Sequence, residues 1–381
     1  MRRKQFFLVV LLFLAFVGIN YYIGWNGSAF LEVAAHGFPI WMFWIMYWLF
    51  ATAYLIGRSG IIKGPAARLL KVIGSFYFAI LEFAVLLLPL TNLGYLAAAH
   101  WGLDKVTYIK AAGWSIVGIL MLLLARGWWN ATRPVVRNYE LSIPKKSEGA
   151  QQLTIVMASD IHLGNVVGNR HLSKLVKAAE RIHPDLILLP GDIIDDVIEP
   201  FVRNRMADTM CKLQAAARYG AYAILGNHEY YGGHADEYVK RMGDIGIRVL
   251  RDETVTVDGW FHIAGRKDKT AESAEPDGRK TVEQLLAEID KTKPVLLMDH
   301  QPYAFNKAAA AGADLLLCGH THRGQFAPNH LITKRLFELD WGYMMKENMH
   351  VIVSSGFGTW GPPVRLASRS EIISITLKFS G

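Results

Sequence analysis

Asp160 and His162 stand two apart, just after an apolar run. Asp192 follows a second run, Asn227 and His228 a third, His300 a fourth, and His320 and His322 a fifth. Asp160, His162, Asp192, Asn227, His300, His320 and His322 offer carboxylate, amide and imidazole ligands with no thiolate among them. Such a donor set suits Mn, Fe or Zn in a working site better than a structural zinc. One carboxylate with ligands on both sides can be shared by two ions. Paired ions about 3.5–4 Å apart acidify a bridging water and clamp the oxygens of an in-line displacement at phosphorus. In Asp160-x-His162 and His320-x-His322 the i, i+2 spacing puts both side chains on one face if the backbone is extended.

The five runs are Leu153–Ser159, Leu186–Leu189, Ala221–Leu225, Val295–Met298 and Leu315–Cys318. They are short and strand-like, and amphipathic stretches separate them: Leu172–Ile182, Val202–Tyr219, Tyr238–Ile245, Val282–Ile289 and Phe305–Ala311. This alternation is an α/β signature. In an open α/β sheet, sites are built at the carboxyl ends of the strands. Later runs at Phe261–Ala264, Val351–Ser354 and Ile372–Leu377 would form a second sheet. The expected fold class is α/β, a four-layer α-β-β-α sandwich, preceded by an all-α membrane region of four transmembrane helices.

The motifs Asp160-Ile161-His162, Gly191-Asp192-Ile193-Ile194-Asp195, Gly226-Asn227-His228-Glu229, Asp299-His300 and Gly319-His320-Thr321-His322 together resemble the five signature blocks of the calcineurin-like metallophosphoesterases. The resemblance covers about 230 residues. It implies Asp160, His162 and His322 on one metal, and Asn227, His300 and His320 on the other, with Asp192 bridging. It implies that His228 stays off the metals, stabilises the phosphoryl oxygens and protonates the leaving oxygen, with Asp195 orienting it. The stretches Phe337–Tyr343 and Ser355–Arg365 resemble C-terminal blocks of bacterial membrane-associated members. After the last histidine many relatives read Gly-Gly-Gln, where this chain reads Arg323-Gly324-Gln325, so Arg323 could add a phosphate contact or stand as a solvated rim charge. His171, His183, His262, His330 and His350 lack ligand partners at useful spacing and read as ordinary structural histidines.

The chain has 381 residues, 52% of them hydrophobic, and the apolar excess lies before about residue 130. Four stretches approach the roughly 20 residues that cross a bilayer: Phe6–Ile23, Phe38–Ile56, Val72–Leu96 and Ile109–Trp129. Residues 1–132 are expected to be the four-helix transmembrane region, 133–152 a polar linker with Pro134 and Pro144, and 153–381 the catalytic domain. Residues 1–150 hold 14 Lys and Arg against 5 Asp and Glu, while the remainder holds 27 against 28. The basic excess therefore belongs to the membrane half, which argues against a nucleic-acid partner. Arg2, Arg3 and Lys4 precede the first stretch, Arg58, Lys63, Arg68 and Lys71 surround the second connection, and Arg126, Arg133 and Arg137 follow the fourth. The positive-inside rule then places both termini and the catalytic domain in the cytoplasm, on a multi-pass protein of the cell membrane. Two cysteines, Cys211 and Cys318, make no disulfide framework.

These features lead to a two-metal hydrolase of phosphate esters, of phosphodiesterase or pyrophosphatase type, using a metal-bridging hydroxide on a membrane-associated or lipid-linked substrate. The alternatives are a general phosphomonoesterase acting on proteins or nucleotides, and a membrane sensor that only binds ligand. Leu331–Met345 is rich in apolar and aromatic residues, with Lys334 and Arg335 among them. It is expected either to pack on the core or to form an apolar rim that meets the bilayer or an acyl chain. Arg365, after Gly361-Pro362-Pro363, is expected to contact phosphate near the metals.

Overall fold

The computed structural model describes residues 3–380, with side chains from Phe6 onward. Arg2 and the side chains of Arg3 and Lys4, which enter the orientation argument, lie outside the described residues. The chain divides into two compact units, Met1–Arg126 and Gly127–Gly381.

The first unit is helical. Helices α1 (Arg3–Ala34), α2 (Ile40–Arg58), α3 (Gly64–His100) and α4 (Lys105–Thr132, which continues into the second unit) are long and apolar enough to cross a membrane. Their large apolar side chains are widely exposed, among them Leu11, Phe13, Leu90 and Leu122. Such a surface is unsuited to water but natural in lipid, where a helix satisfies its own backbone polar groups. Inside the bundle, Asn20 of α1 is fully buried and meets Tyr47 of α2 and Tyr77 of α3. The two tyrosine hydroxyls lie 2.7 Å apart. Interhelical hydrogen bonds of this kind hold apolar helices together where the hydrophobic effect cannot.

The second unit contains two six-stranded sheets. Its strands are β1 (Val135–Ile143), β2 (Gln152–Met157), β3 (Leu186–Pro190), β4 (Ala221–Ile224), β5 (Ile247–Leu250), β6 (Glu253–Val257), β7 (Phe261–Gly265), β8 (Val295–Met298), β9 (Leu315–Cys318), β10 (Gly342–Lys346), β11 (Met349–Val353) and β12 (Glu371–Phe379). The sheet orders are β1-β12-β2-β3-β4-β5 and β10-β11-β9-β8-β7-β6. Alternate residues explain the layering, because successive side chains leave opposite faces of a strand. Ile155, Met157, Leu186 and Leu188 meet Phe261, Ile263, Leu296 and Leu317 between the sheets. Val156, Ile187 and Leu189 face outward against the helices Asn169–Ile182, Met206–Gln214 and Ala235–Asp244. Leu297, Leu316 and Val351 face outward on the other side, against Val282 and Leu285 and against Phe305 and Ala308. The result is the expected four-layer sandwich.

Three sequence expectations are corrected. Residues 133–152 are not a free linker, since Val135–Ile143 forms β1, paired in parallel with β12 at the edge of the first sheet. Its alternating exposure lets polar side chains point out along a paired strand, which is why its composition reads as a linker. Ile372–Leu377 belongs to the first sheet, antiparallel to β2, rather than to the second. The helical stretch Val202–Tyr219 breaks at Arg205, whose φ of 51° ends Glu199–Arg203 before Met206–Gln214 begins.

Candidate metal centre

Strands β2, β3 and β4 of one sheet and β8 and β9 of the other run out into the residues of interest. They deliver Asp160 and His162, Asp192, Asn227 and His228, His300, and His320 and His322 respectively. All but the half-buried His320 are buried. The i, i+2 pairs do not work through extended backbone. Asp160, His162, Asp192, His320 and His322 take φ of 51°, 51°, 52°, 73° and 48°, a left-handed conformation that L-residues with side chains seldom adopt. Such strain persists where the surroundings over-determine it, and it gathers at functional sites. Two glycines make room: a Cβ on Gly226 would collide with Asp192 Oδ1, and one on Gly319 with Asp160 Oδ2.

The side chains converge in two abutting groups. His162 Nε2 and His322 Nε2 lie 3.0 Å apart, and Asp160 Oδ1 is 3.6 Å from His322 Nε2. On the other side His300 Nε2 is 3.1 Å from Asp192 Oδ2, and His320 Nδ1 is 2.9 Å from Asn227 Oδ1. Asp192 Oδ2 also lies 3.9 Å from His162 Nε2, so this one carboxylate faces both groups. The sets Asp160–His162–His322 and Asp192–His300–His320 each bring their ligand atoms within 4.8 Å of one another. The contents of the site fit metal ions. Despite its closeness to Asp192, buried His300 Nε2 makes no hydrogen bond, and neither does His162 Nδ1. The convergent lone pairs are nitrogen and oxygen donors of the kind Mn, Fe and Zn accept.

The electrostatics agree. Burial, with His228 nearby, drives the His162 pKa down to about 3, and burial with His300 takes His320 to about 4, which leaves both rings neutral and free to ligate. Burial also raises Asp160 to about 6. Burial opposes charge on Asp192 and His300 too, but their mutual attraction wins, holding the carboxylate well below and the imidazole well above their ordinary values.

His228 is oriented by a different carboxylate from the one expected. Its Nδ1 is 2.7 Å from Asp196 Oδ1 and 3.9 Å from Asp195 Oδ1. Asp196 has a φ of 54°, and this left-handed turn brings the second aspartate of the pair to the ring. Burial alone would depress the His228 pKa, but Asp196, Asp192 and Asp195 raise it to about 9. The ring meets His162 edge-on at 4.7 Å between centroids.

Arg365 does not sit as expected. Arg365 is fully buried, with its guanidinium committed to the carbonyls of Ser355 and Gly358, to Ser368 Oγ, and to His322 Nδ1 at 3.1 Å. A cation saturated in this way braces the protein and cannot also serve as a free phosphate clamp. Arg323 stacks over Trp341 at 4.1 Å from the ring centroid. Of the other histidines, His171 packs on Phe357, His262 bonds Thr256 and the Asp290 carbonyl, and His350 bonds Tyr343 and the Ser142 carbonyl.

One contributor carried no role in the sequence reading. Fully buried Glu229 accepts N–H bonds from Asp192 at 3.2 Å, Ile193 at 2.7 Å, Ile194 at 2.9 Å and Gly226 at 2.7 Å. A single carboxylate therefore ties the Asp192 loop to the Asn227 loop. The signal was present as Gly226-x-x-Glu229, the spacing of a capping box at a helix start.

Residues 153–324 match the family profile described as calcineurin-like phosphoesterase. The chain is 32% identical over 255 residues to an uncharacterized metallophosphoesterase of Aquifex aeolicus, covering 65% of this chain and 92% of that one. It is 29% identical over 316 residues to a transmembrane protein with metallophosphoesterase domain of Danio rerio, covering 79% and 71%. A Bos taurus protein of the same description is 30% identical over 290 residues, covering 72% and 64%. The zebrafish match covers more of this chain than Gly127–Gly381 contains, so it extends into the helical unit.

Proposed function

Because this chain belongs to the calcineurin-like metallophosphoesterases, a family of hydrolases, we propose that it cleaves phosphodiester or pyrophosphate bonds with two divalent ions on a membrane-associated substrate. The observation that carries the two-metal reading is Asp192, one buried carboxylate facing two groups of ligands. Asp160, His162 and His322 would hold one ion and Asn227, His300 and His320 the other, with Asp192 between. When bound, such a pair supplies an activated water as nucleophile and positive charge for the phosphoryl oxygens. His228 does the proton work. With Nδ1 tied to Asp196, Nε2 is the nitrogen left to give a proton to the leaving oxygen.

The lipid reading rests on the segment that follows His322. The helix His330–Leu336 buries none of its residues and carries Leu331, Ile332 and Leu336 at 60%, 58% and 68% exposure, next to Lys334 and Arg335. Phe337, which ends it, lies 6.3 Å from the His320 ring and 5.2 Å from Tyr303 between centroids. An exposed apolar ridge with basic neighbours beside a phosphoesterase site suits an acyl chain below an anionic head group.

Full-length protein with Mn should therefore hydrolyse bis-p-nitrophenyl phosphate faster than p-nitrophenyl phosphate, and lipid-linked diphosphates in mixed micelles faster still. Replacing Ile332 and Leu336 together with Ser should lower the lipid activity about a hundredfold or more, the scale of two apolar side chains that each contribute roughly 1.5–3 kcal/mol when buried, and leave the soluble ester within twofold. Equal losses on both substrates would remove the lipid reading, and preference for the monoester would replace diesterase with phosphomonoesterase.

The orientation reading places the catalytic unit on the cytoplasmic side, on the basic residues at the second connection and after α4. A fluorescent reporter fused after residue 381 should mature, and an alkaline phosphatase fused there should stay inactive. An active alkaline phosphatase would reverse the topology.

A further inference from the structure

The last residues of α4 are built into the catalytic unit through Arg365, and Arg365 is built into one of the two ligand groups. The Gly127 carbonyl accepts the Arg365 N–H at 3.0 Å, and buried Asn130 donates from Nδ2 to the Arg365 carbonyl at 3.0 Å. The Asn130 carbonyl in turn accepts from Ser370 N at 3.1 Å. The approach is close enough that a Cβ on Gly127 would overlap Val364. From this seat the guanidinium donates to the Ser355 carbonyl at 2.6 Å, to Ser368 Oγ at 2.9 Å and to the Gly358 carbonyl at 3.1 Å, and reaches His322 Nδ1 at 3.1 Å. Ser368 Oγ donates onward to the His322 carbonyl at 3.3 Å. The loop gripped by Arg365 lies against the ligand backbone on the same side: Gly358 N bonds the Asp160 carbonyl at 2.8 Å, and Phe357 N bonds the Ser159 carbonyl at 2.9 Å. Among the described residues, the hydrogen bonds of Arg365 reach none of Asn227, His300 or His320.

We propose that Arg365, seated by Gly127 and Asn130, is a positioning residue for the Asp160–His162–His322 group alone, so that the end of the fourth helix sets the affinity of one metal position and not the other. The inference rests on the two-metal reading and adds an asymmetry that reading does not contain. Partners that orient metal ligands change affinity by roughly 10–100-fold when removed.

The test is Mn binding to full-length protein in detergent, by equilibrium dialysis and by electron paramagnetic resonance. Wild type should hold two ions and show an exchange-coupled pair. Arg365→Lys keeps the charge and loses the planar fork. It should weaken one ion about tenfold or more, leave the other unchanged, and convert the spectrum to that of an isolated ion. Asn130→Ala, which removes only the bond to the Arg365 carbonyl, should shift the same ion in the same direction by less. Parallel weakening of both ions, or unchanged affinity for both, overturns the inference while the two-metal reading stands. Wild type with fewer than two ions overturns that reading and this inference with it. If circular dichroism shows Arg365→Lys unfolded, Asn130→Ala decides, and unchanged affinities there overturn the proposal.

Discussion

Asp192→Asn should fold as the parent does, yet hydrolyse phosphate esters no faster than buffer and retain fewer than two ions. The substitution is nearly isosteric. Asn can keep the oxygen that accepts the His228 N–H at 2.9 Å. It then replaces Oδ2, the atom 3.1 Å from His300 Nε2 and 3.9 Å from His162 Nε2, with an amide that donates and carries no charge. Both ligand groups lose their shared anion at once, whereas a change at His300 or His322 would touch one group. Metal content by elemental analysis and turnover of bis-p-nitrophenyl phosphate check this together. Undiminished turnover, or two ions still bound, would show that Asp192 is not shared.

His228→Ala should cost about 10²–10⁴-fold in turnover, the range of positioned acid–base catalysis, with both ions retained. The loss should shrink for p-nitrophenolate, a leaving group that needs little protonation, and grow for an alkoxide. Asp196→Asn should act in the same direction and more strongly than Asp195→Asn, because the first carboxylate is 2.7 Å from His228 Nδ1 and the second 3.9 Å. If His228→Ala strips a metal ion, the ring is a ligand. If Asp195→Asn is the more damaging, the pairing in the resting site is not the one used in catalysis.

Much of the catalytic architecture was legible in the chain itself. Buried parallel strands are uninterrupted apolar runs, so a polar residue at the end of Leu186–Pro190 or Leu315–Cys318 stands out as something other than core. What escaped depended on backbone turns and on company. Asp195 and Asp196 are chemically identical neighbours, and only a left-handed turn decides which reaches His228. Arg365 was placed at the substrate because arginine is almost never fully buried unless its donors are matched, and the carbonyls that match them lie in a loop whose path spacing does not reveal. β1 was missed because an edge strand exposes one face, and Arg137, Asn138 and Glu140 resemble a tether until β12 is known to lie beside them. The four helices apolar and long enough to cross a membrane were found by hydropathy, but α1, α3 and α4 extend beyond their apolar stretches while α2 is shifted by two residues, since capping and packing rather than hydropathy set where a helix ends.

The order of strands in the first sheet also bears on how the protein is made. β12 is synthesised after every other strand described, yet it lies inside the sheet, between β1 and β2. While the ribosome is still extending the chain toward Glu371, β1 has no partner and β2 presents an open edge. The two sides of the sheet can join only when the final segment slides in between them. Translation therefore leaves the first sheet unfinished until Glu371–Phe379 emerges. During that interval an unpaired strand edge is exposed, the kind of surface that chaperones cover.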